Sequence, residues 1–126
     1  MPKKIHTTDR APAAVGPYSQ AVSTGNMLFC SGQLPIDPAT GQLVSGDIAT
    51  RTHRIMANIE MIAEAAGTGL ANTVKTTIFL TDLDEFKTMN EAYASHFPAD
   101  QPARSTVQVV RLPLGANLEI EAVIAL

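Results

Sequence analysis

Two hydrophobic periods alternate along this chain, and that alternation limits its fold more than any other feature. Across residues 47–66, Ile48, Thr52, Ile55, Ile59, Ile62 and Ala66 recur at steps of four and three, which puts them on one stripe of an α-helix. Asp47 stands where an N-terminal cap is needed and Gly67 where a left-handed stop is needed. Arg51, Arg54, Asn58 and Glu64 are expected mostly on the other faces. A second helix opens after Asp82-x-x-Glu85, which reads as a capping box, with Phe86, Met89, Tyr93 and Phe97 as its buried stripe and Pro98 as its end.

Outside these helices the period drops to two. Residues 18–23 and 27–32 read as strands joined by the Thr24-Gly25-Asn26 turn, and residues 37–41 as a loop. The β-branched run 74–80 reads as an interior strand. Residues 105–112 and 118–124 read as two last strands flanking a turn at 113–117. The order is strands, helix, strand, helix, strands. Each helix has one apolar stripe, so both can cover the same face of a single mixed sheet, an α+β domain over residues 1–126. In 118–124, Leu118, Ile120, Ala122 and Ile124 alternate with Glu119 and Glu121. The second sheet face therefore meets water, a partner subunit or a site.

Composition narrows the function. With 45% hydrophobic and 17% charged residues the chain can bury one ordinary core. A net charge of −3 gives no general attraction to phosphate backbones or anionic lipid. Two Tyr, four Phe and no Trp give no stacking platform for nucleic acid. A lone cysteine, no apolar stretch after the N-terminal lysines and no long apolar run lead to the expectation of a soluble chain in a reducing compartment, the cytoplasm.

Few residues have the character of chemistry. His6, His53, His96 and Cys30 lie far apart in the chain and match no metal-ligand spacing, so no metal is expected. Gly67-Thr68-Gly69 is followed by Asn72 and ends a helix, unlike a dinucleotide loop. Cys30 sits mid-strand and reads as an inert buried thiol. Ser31 lacks the G-x-S-x-G context of a nucleophile and reads as a hydrogen-bond donor at a strand end, with Gly32 admitting a ligand to the backbone. Asp82, Asp84 and Glu85 are accounted for by helix capping, and Asn90 by helix surface. Arg104 opens a strand beside hydroxyl residues, where it can clamp a carboxylate through two parallel hydrogen bonds or pair with Glu119 or Glu121. Glu119 reads equally as a solvated strand carboxylate or a general base.

Taken together, Gly16-Pro17-Tyr18-Ser19-Gln20, Ser31-Gly32-Gln33-Leu34-Pro35, Glu64-Ala65-Ala66-Gly67, Val74-Lys75-Thr76-Thr77, Pro102-Ala103-Arg104-Ser105 and Ile120-Glu121-Ala122 resemble the RidA family, reactive intermediate deaminase A, over essentially the whole chain. The resemblance implies a chorismate-mutase-like fold in homotrimers whose sheets form a central barrel, helices outside, with sites between subunits. It implies hydrolysis, without cofactor, of 2-imino acids or their enamine tautomers to 2-keto acids and ammonia. Such species are released by pyridoxal-phosphate dehydratases acting on serine or threonine. By that resemblance Arg104 clamps the substrate carboxylate and Glu119 positions and activates water. Tyr18 and Ser31 complete the polar pocket, the Gly32 backbone lies close to substrate, and Asn90 matches an asparagine of the second helix. Three positions depart from the pattern: Thr106 stands where many members have cysteine, the segment between Phe97 and Arg104 is short, and Val110 is bulky. A trimeric module that binds keto acids or acts like a chaperone, without turnover, is the alternative reading. Ribonuclease or translation-inhibitor activity ranks below both.

Overall fold

The structure, a computed structural model, describes residues 2–126. Its main sheet has six strands in the order β1-β2-β3-β8-β6-β7. These are β1 (Lys4–His6), β2 (Ala21–Thr24), β3 (Met27–Gln33), β6 (Thr73–Leu80), β7 (Ala103–Gln108) and β8 (Leu118–Ala125). A separate hairpin pairs β4 (Ile36–Asp37) with β5 (Gln42–Leu43). Helix α1 (Ile48–Ala65) carries the chain from β3 toward β6, and α2 (Phe86–Ala94) carries it from β6 to its parallel neighbour β7. The last strand, β8, inserts antiparallel between β3 and β6. The sheet is therefore mixed, and both helices cover one face, as the single apolar stripes require.

The stripe of α1 is buried as expected, with Ile55 and Ile59 fully enclosed against Leu28, Ile78, Ile120 and Ile124 of the sheet. Each such side chain contributes roughly 2 kcal/mol of apolar burial. Asp47 caps α1 by accepting from the Thr50 amide at 2.9 Å, and Gly67 ends it at φ 86°. The exception is Asn58, which is completely buried instead of lying on an outer face. Its amide donates to the Ile36 carbonyl at 2.9 Å, and its oxygen accepts from the Arg54 guanidinium. Helical spacing sets Asn58 beside the stripe, and these hydrogen bonds offset its burial.

Four boundaries differ from the sequence reading, each for a reason outside the local pattern. Strand β2 starts at Ala21 rather than 18, because the Gly16–Tyr18 segment closes a tight turn (Tyr18 N–H to Gly16 O, 2.8 Å). Strand β1 was not anticipated; its three residues extend by pairing with β2. Strand β7 ends at Gln108 because its partner β6 ends at Leu80, and Val110 beyond it is fully open to solvent. Helix α2 ends at Ala94, and tighter turn bonds at His96 and Phe97 carry the chain to Pro98. Of the expected stripe, Phe86 is exposed, Met89 and Tyr93 are buried within the helix, and Phe97 is buried beyond its end. Asp82 caps the preceding turn through the Asp84 amide at 2.9 Å, which is the Asp82 half of the anticipated box. Among the described residues, no helix is long and apolar enough to cross a membrane.

Candidate active site

A bulge places the first group of site residues. Cys30 pairs with Ala122 and Gln33 with Ile120, so Ser31 and Gly32 on β3 oppose the single residue Glu121 on β8. The extra residue turns Ser31 and Gly32 toward the helix-free side of the sheet. Here Glu119 lies over Gly32. A Cβ at Gly32 would meet Glu119 Oε2 at 2.5 Å and its carboxyl carbon at 2.8 Å. An alanine at 32 would therefore have to push the glutamate carboxyl aside. Ser31 Oγ donates to the Ser19 carbonyl at 2.6 Å, which leaves its lone pairs to accept.

The segment ahead of β2 supplies Tyr18. Its phenol oxygen accepts from the Val15 amide at 3.3 Å, leaving its own O–H to donate. Gln20, buried behind it, holds this segment in place. Its amide donates to the carbonyls of Thr8 (3.0 Å) and Pro12 (2.8 Å), and its oxygen accepts from the Thr8 amide (2.8 Å). Tyr18, Ser31, Gly32 and Glu119 all line one open cavity of about 710 Å³, whose other walls include Val15, Leu34, Ile36, Pro38 and Leu114. Partial burial, followed by the neighbouring Glu121 charge, raises the Glu119 pKa above the ordinary carboxylate value. Such a carboxyl suits proton transfer nearer neutral pH.

The second group lies elsewhere. Arg104 pairs in register with Thr76, and Thr106 with Ile78, both buried under the helices. Neighbours in register share a face, so Arg104 and Thr106 point to the helix side of the edge strand β7. Glu119, paired with Phe79 between the core residues Leu118 and Ile120, points to the other side. Within one chain this geometry excludes the Arg104–Glu119 or Arg104–Glu121 pair considered from spacing. Arg104 Nη1 instead donates to Asn90 Oδ1 at 2.7 Å. Its guanidinium carbon lies 5.5 Å from the Phe86 ring centre and 5.0 Å from that of Tyr93. Tyr93 is fixed in turn by a 2.7 Å hydrogen bond with Thr76. Asn90 is therefore a partner of Arg104, not bland helix surface. Thr106 Oγ1 is buried with no hydrogen-bond partner among the described residues.

The structure brings Tyr18, Ser31, Gly32 and Glu119 together, and separately brings Arg104, Asn90 and Thr106 together. Reading the sequence missed Gln20, Asn58 and the two aromatic rings against Arg104. Position on a helical stripe was the available signal for Asn58, Phe86 and Tyr93 and the Gly16–Gln20 motif for Gln20, but nothing local showed what each would touch. Cys30 is buried, and desolvation pushes its thiol up to about 12, so it is a poor nucleophile. Packing of α1 against α2 brings His53 Nδ1 within 2.8 Å of His96 Nε2, a proximity that their separation in the chain concealed. His6 is apart, bonded to Ser23 Oγ at 2.7 Å. Among the described residues no three His, Cys, Asp or Glu side chains converge to hold a metal ion.

Comparison with known proteins identifies the family. Residues 8–126 match the family described as endoribonuclease L-PSP. RutC family protein y4sK of Sinorhizobium fredii is 52% identical over 126 residues, covering 100% of this chain and 99% of that one. The 2-iminobutanoate/2-iminopropanoate deaminase of Bos taurus is 46% identical over 121 residues, covering 96% of this chain and 88% of that one. The solved structure of E. coli TdcF with bound serine is 43% identical, covers 98% of each chain and superposes with a TM-score of 0.91. The chain belongs to the RidA family, also called RutC and endoribonuclease L-PSP.

Proposed function

We propose that this protein hydrolyses 2-imino acids, or their enamine tautomers, to 2-keto acids and ammonia without a cofactor. The observation that carries this reading is the Glu119 carboxyl, seated over Gly32 beside Ser31 and Tyr18 with its pKa raised. Relatives named as 2-iminobutanoate/2-iminopropanoate deaminases support it. Among the described residues no cation lines that cavity, and Arg104, presented at the open edge strand, is the matching piece. The site is therefore completed by a second copy of the chain, and a closed homotrimer supplies three such sites. Asn90 and the two rings hold the guanidinium ready.

An iminium carbon is already electrophilic, so placement and proton transfer suffice. Arg104 holds the substrate carboxylate, and Tyr18 donates to the bound substrate. Water attacks the iminium carbon while Glu119 takes its proton, giving a carbinolamine. Glu119 returns that proton to the amino nitrogen and the C–N bond breaks. The hydroxyl oxygen becomes the ketone, and its proton leaves with ammonia as ammonium. Ser31, whose own proton is committed to Ser19, accepts from the imine N–H or the water. Thr106 supplies a hydroxyl next to Arg104, without a thiol's redox chemistry. The lone buried cysteine fits a reducing cytoplasm. Ribonuclease activity is disfavoured by two carboxylates, Glu119 and Glu121, in the cavity wall, which repel a phosphodiester.

The test couples a dehydratase acting on threonine or serine to this protein and follows loss of the transient imine. Faster loss that disappears in Arg104→Ala is expected. Equal rates for wild type and buffer, with 2-ketobutyrate still bound by both wild type and Glu119→Gln, would replace the enzyme by a binding module.

A further inference from the structure

We propose that His53 and His96 form a binding site for a divalent transition-metal ion of the imidazole-binding class, Zn²⁺, Ni²⁺ or Cu²⁺, which ties α1 to the end of α2. Two ring nitrogens from different elements aim at one point. His53 Nδ1 and His96 Nε2 lie 2.8 Å apart, with the ring centres 5.1 Å apart and the planes tilted by 54°. Imidazole is a ligand that suits these ions. Tetrahedral metal–nitrogen bonds of about 2.0–2.1 Å hold two bound nitrogens roughly 3.3 Å apart, so the pair has to open by about half an ångström. His53 is exposed, which leaves its ring free to turn. The proton now held between the rings is no obstacle. Each neutral imidazole carries one N–H, and the ring that directs its N–H inward can carry that proton on its far nitrogen instead. Both inward lone pairs then bind the ion, with no net release of a proton.

The surroundings suit a positive charge. His53, Ala57 and Glu60 recur at steps of four and three, so they share one face of α1. His96 meets both ends of that face: it bonds His53, and the Glu60 charge acts on it. Ala57, between them, raises only a methyl group. The two cations nearest in sequence are committed elsewhere, Arg51 to the Val44 carbonyl and Asn117, and Arg54 to Asn58. Among the described residues no third His, Cys, Asp or Glu side chain joins the pair. Water therefore fills the remaining positions, and the ion is an exchangeable one. The site also stands apart from the Glu119 cavity. Helix α1 packs over β3 and β8, while α2 carries Asn90 and Tyr93 toward Arg104 on β7. The α1–α2 seam thus lies on the side of α2 away from β7, and on the sheet face opposite Glu119. An ion there joins the first turns of α1 to the chain beyond α2, and it stabilises the folded state by mass action.

The experiment titrates Zn²⁺ into the full chain, stripped of metal, in a neutral buffer that does not bind metal. Zn²⁺ is expected to saturate at one ion per chain, to raise Tm by several degrees, and to shift two of the three histidine ring signals in NMR. The third, from His6, is held by Ser23 and should stay in place. Mg²⁺, which prefers oxygen ligands, should leave Tm unchanged. His53→Ala and His96→Gln should each abolish the Zn²⁺-dependent rise in Tm, with circular dichroism as the check on folding. The ring signals are read in wild type, so the test stands even where a variant fails to fold. No saturable binding with Zn²⁺ in large excess, an equal rise in Tm with Mg²⁺, a shift of the His6 signal alone, or a rise that survives in either folded variant overturns the site.

Discussion

Glu119 is held in conflict with its own charge. Partial burial opposes ionisation first, and Glu121 on the same strand adds repulsion. A carboxyl whose folded pKa is raised binds more protons folded than unfolded between the two values, so stability falls as pH rises through that window. Glu119→Gln should therefore melt at or above the wild-type temperature at neutral pH, while kcat/KM for imine hydrolysis drops by about 10²–10⁴ as expected for loss of a general base. Removing the repelling neighbour has a different signature: Glu121→Gln should move the acid limb of the kcat/KM profile to lower pH. An unmoved limb would show that another group controls it. Gly32→Ala forces a methyl into the Glu119 carboxyl and should lose activity with Glu119 itself intact, read as kcat/KM with circular dichroism as the check on folding. Strand alternation left Glu119 and Arg104 open between surface and site, and only the motifs of the family resemblance marked them as candidates. That the Glu119 carboxyl fills the space a side chain at 32 would take was not legible, because it comes from a strand nearly ninety positions away.

At the scale of elements, what was legible was what is local. Both helix stripes, the Asp47 cap, the Gly67 stop and the interior character of β6 follow from residues a few positions apart. Strand β1 and the end of β7 were hidden because their extent is set by β2 and β6, not by their own sequence. Asn58 shows how the elements lock together. It sits in α1, yet its amide holds the backbone that forms the cavity wall between β3 and β4. Asn58→Ala leaves the Ile36 carbonyl buried without its donor and should cost about 2–3 kcal/mol, measured by urea denaturation.

At the scale of the whole molecule, the separation of the two residue groups matters most. Tyr18, Ser31 and Glu119 open on one side of the sheet, and Arg104, with Asn90 and the aromatic rings, is presented on the other at the edge strand. No sequence pattern reports this, because alternation assigns a residue to a face only relative to its own strand. The open face also carries Phe29 and Val107, both nearly half exposed, which a lone domain leaves in water. If sites form between copies, a protein lacking Arg104 and a protein lacking Glu119 each fail alone but can repair one another. In mixed trimers of Arg104→Ala and Glu119→Gln, made by co-refolding equal amounts, a site is intact when one copy brings Glu119 and its neighbour brings Arg104. Random assembly into a closed ring meets that condition at about one site in four, so about a quarter of wild-type activity should return. Light scattering at micromolar concentration should give three times the chain mass for the same sample. A mixture as inactive as its components, with a trimeric mass, would show that Arg104 and Glu119 do not meet across an interface between copies.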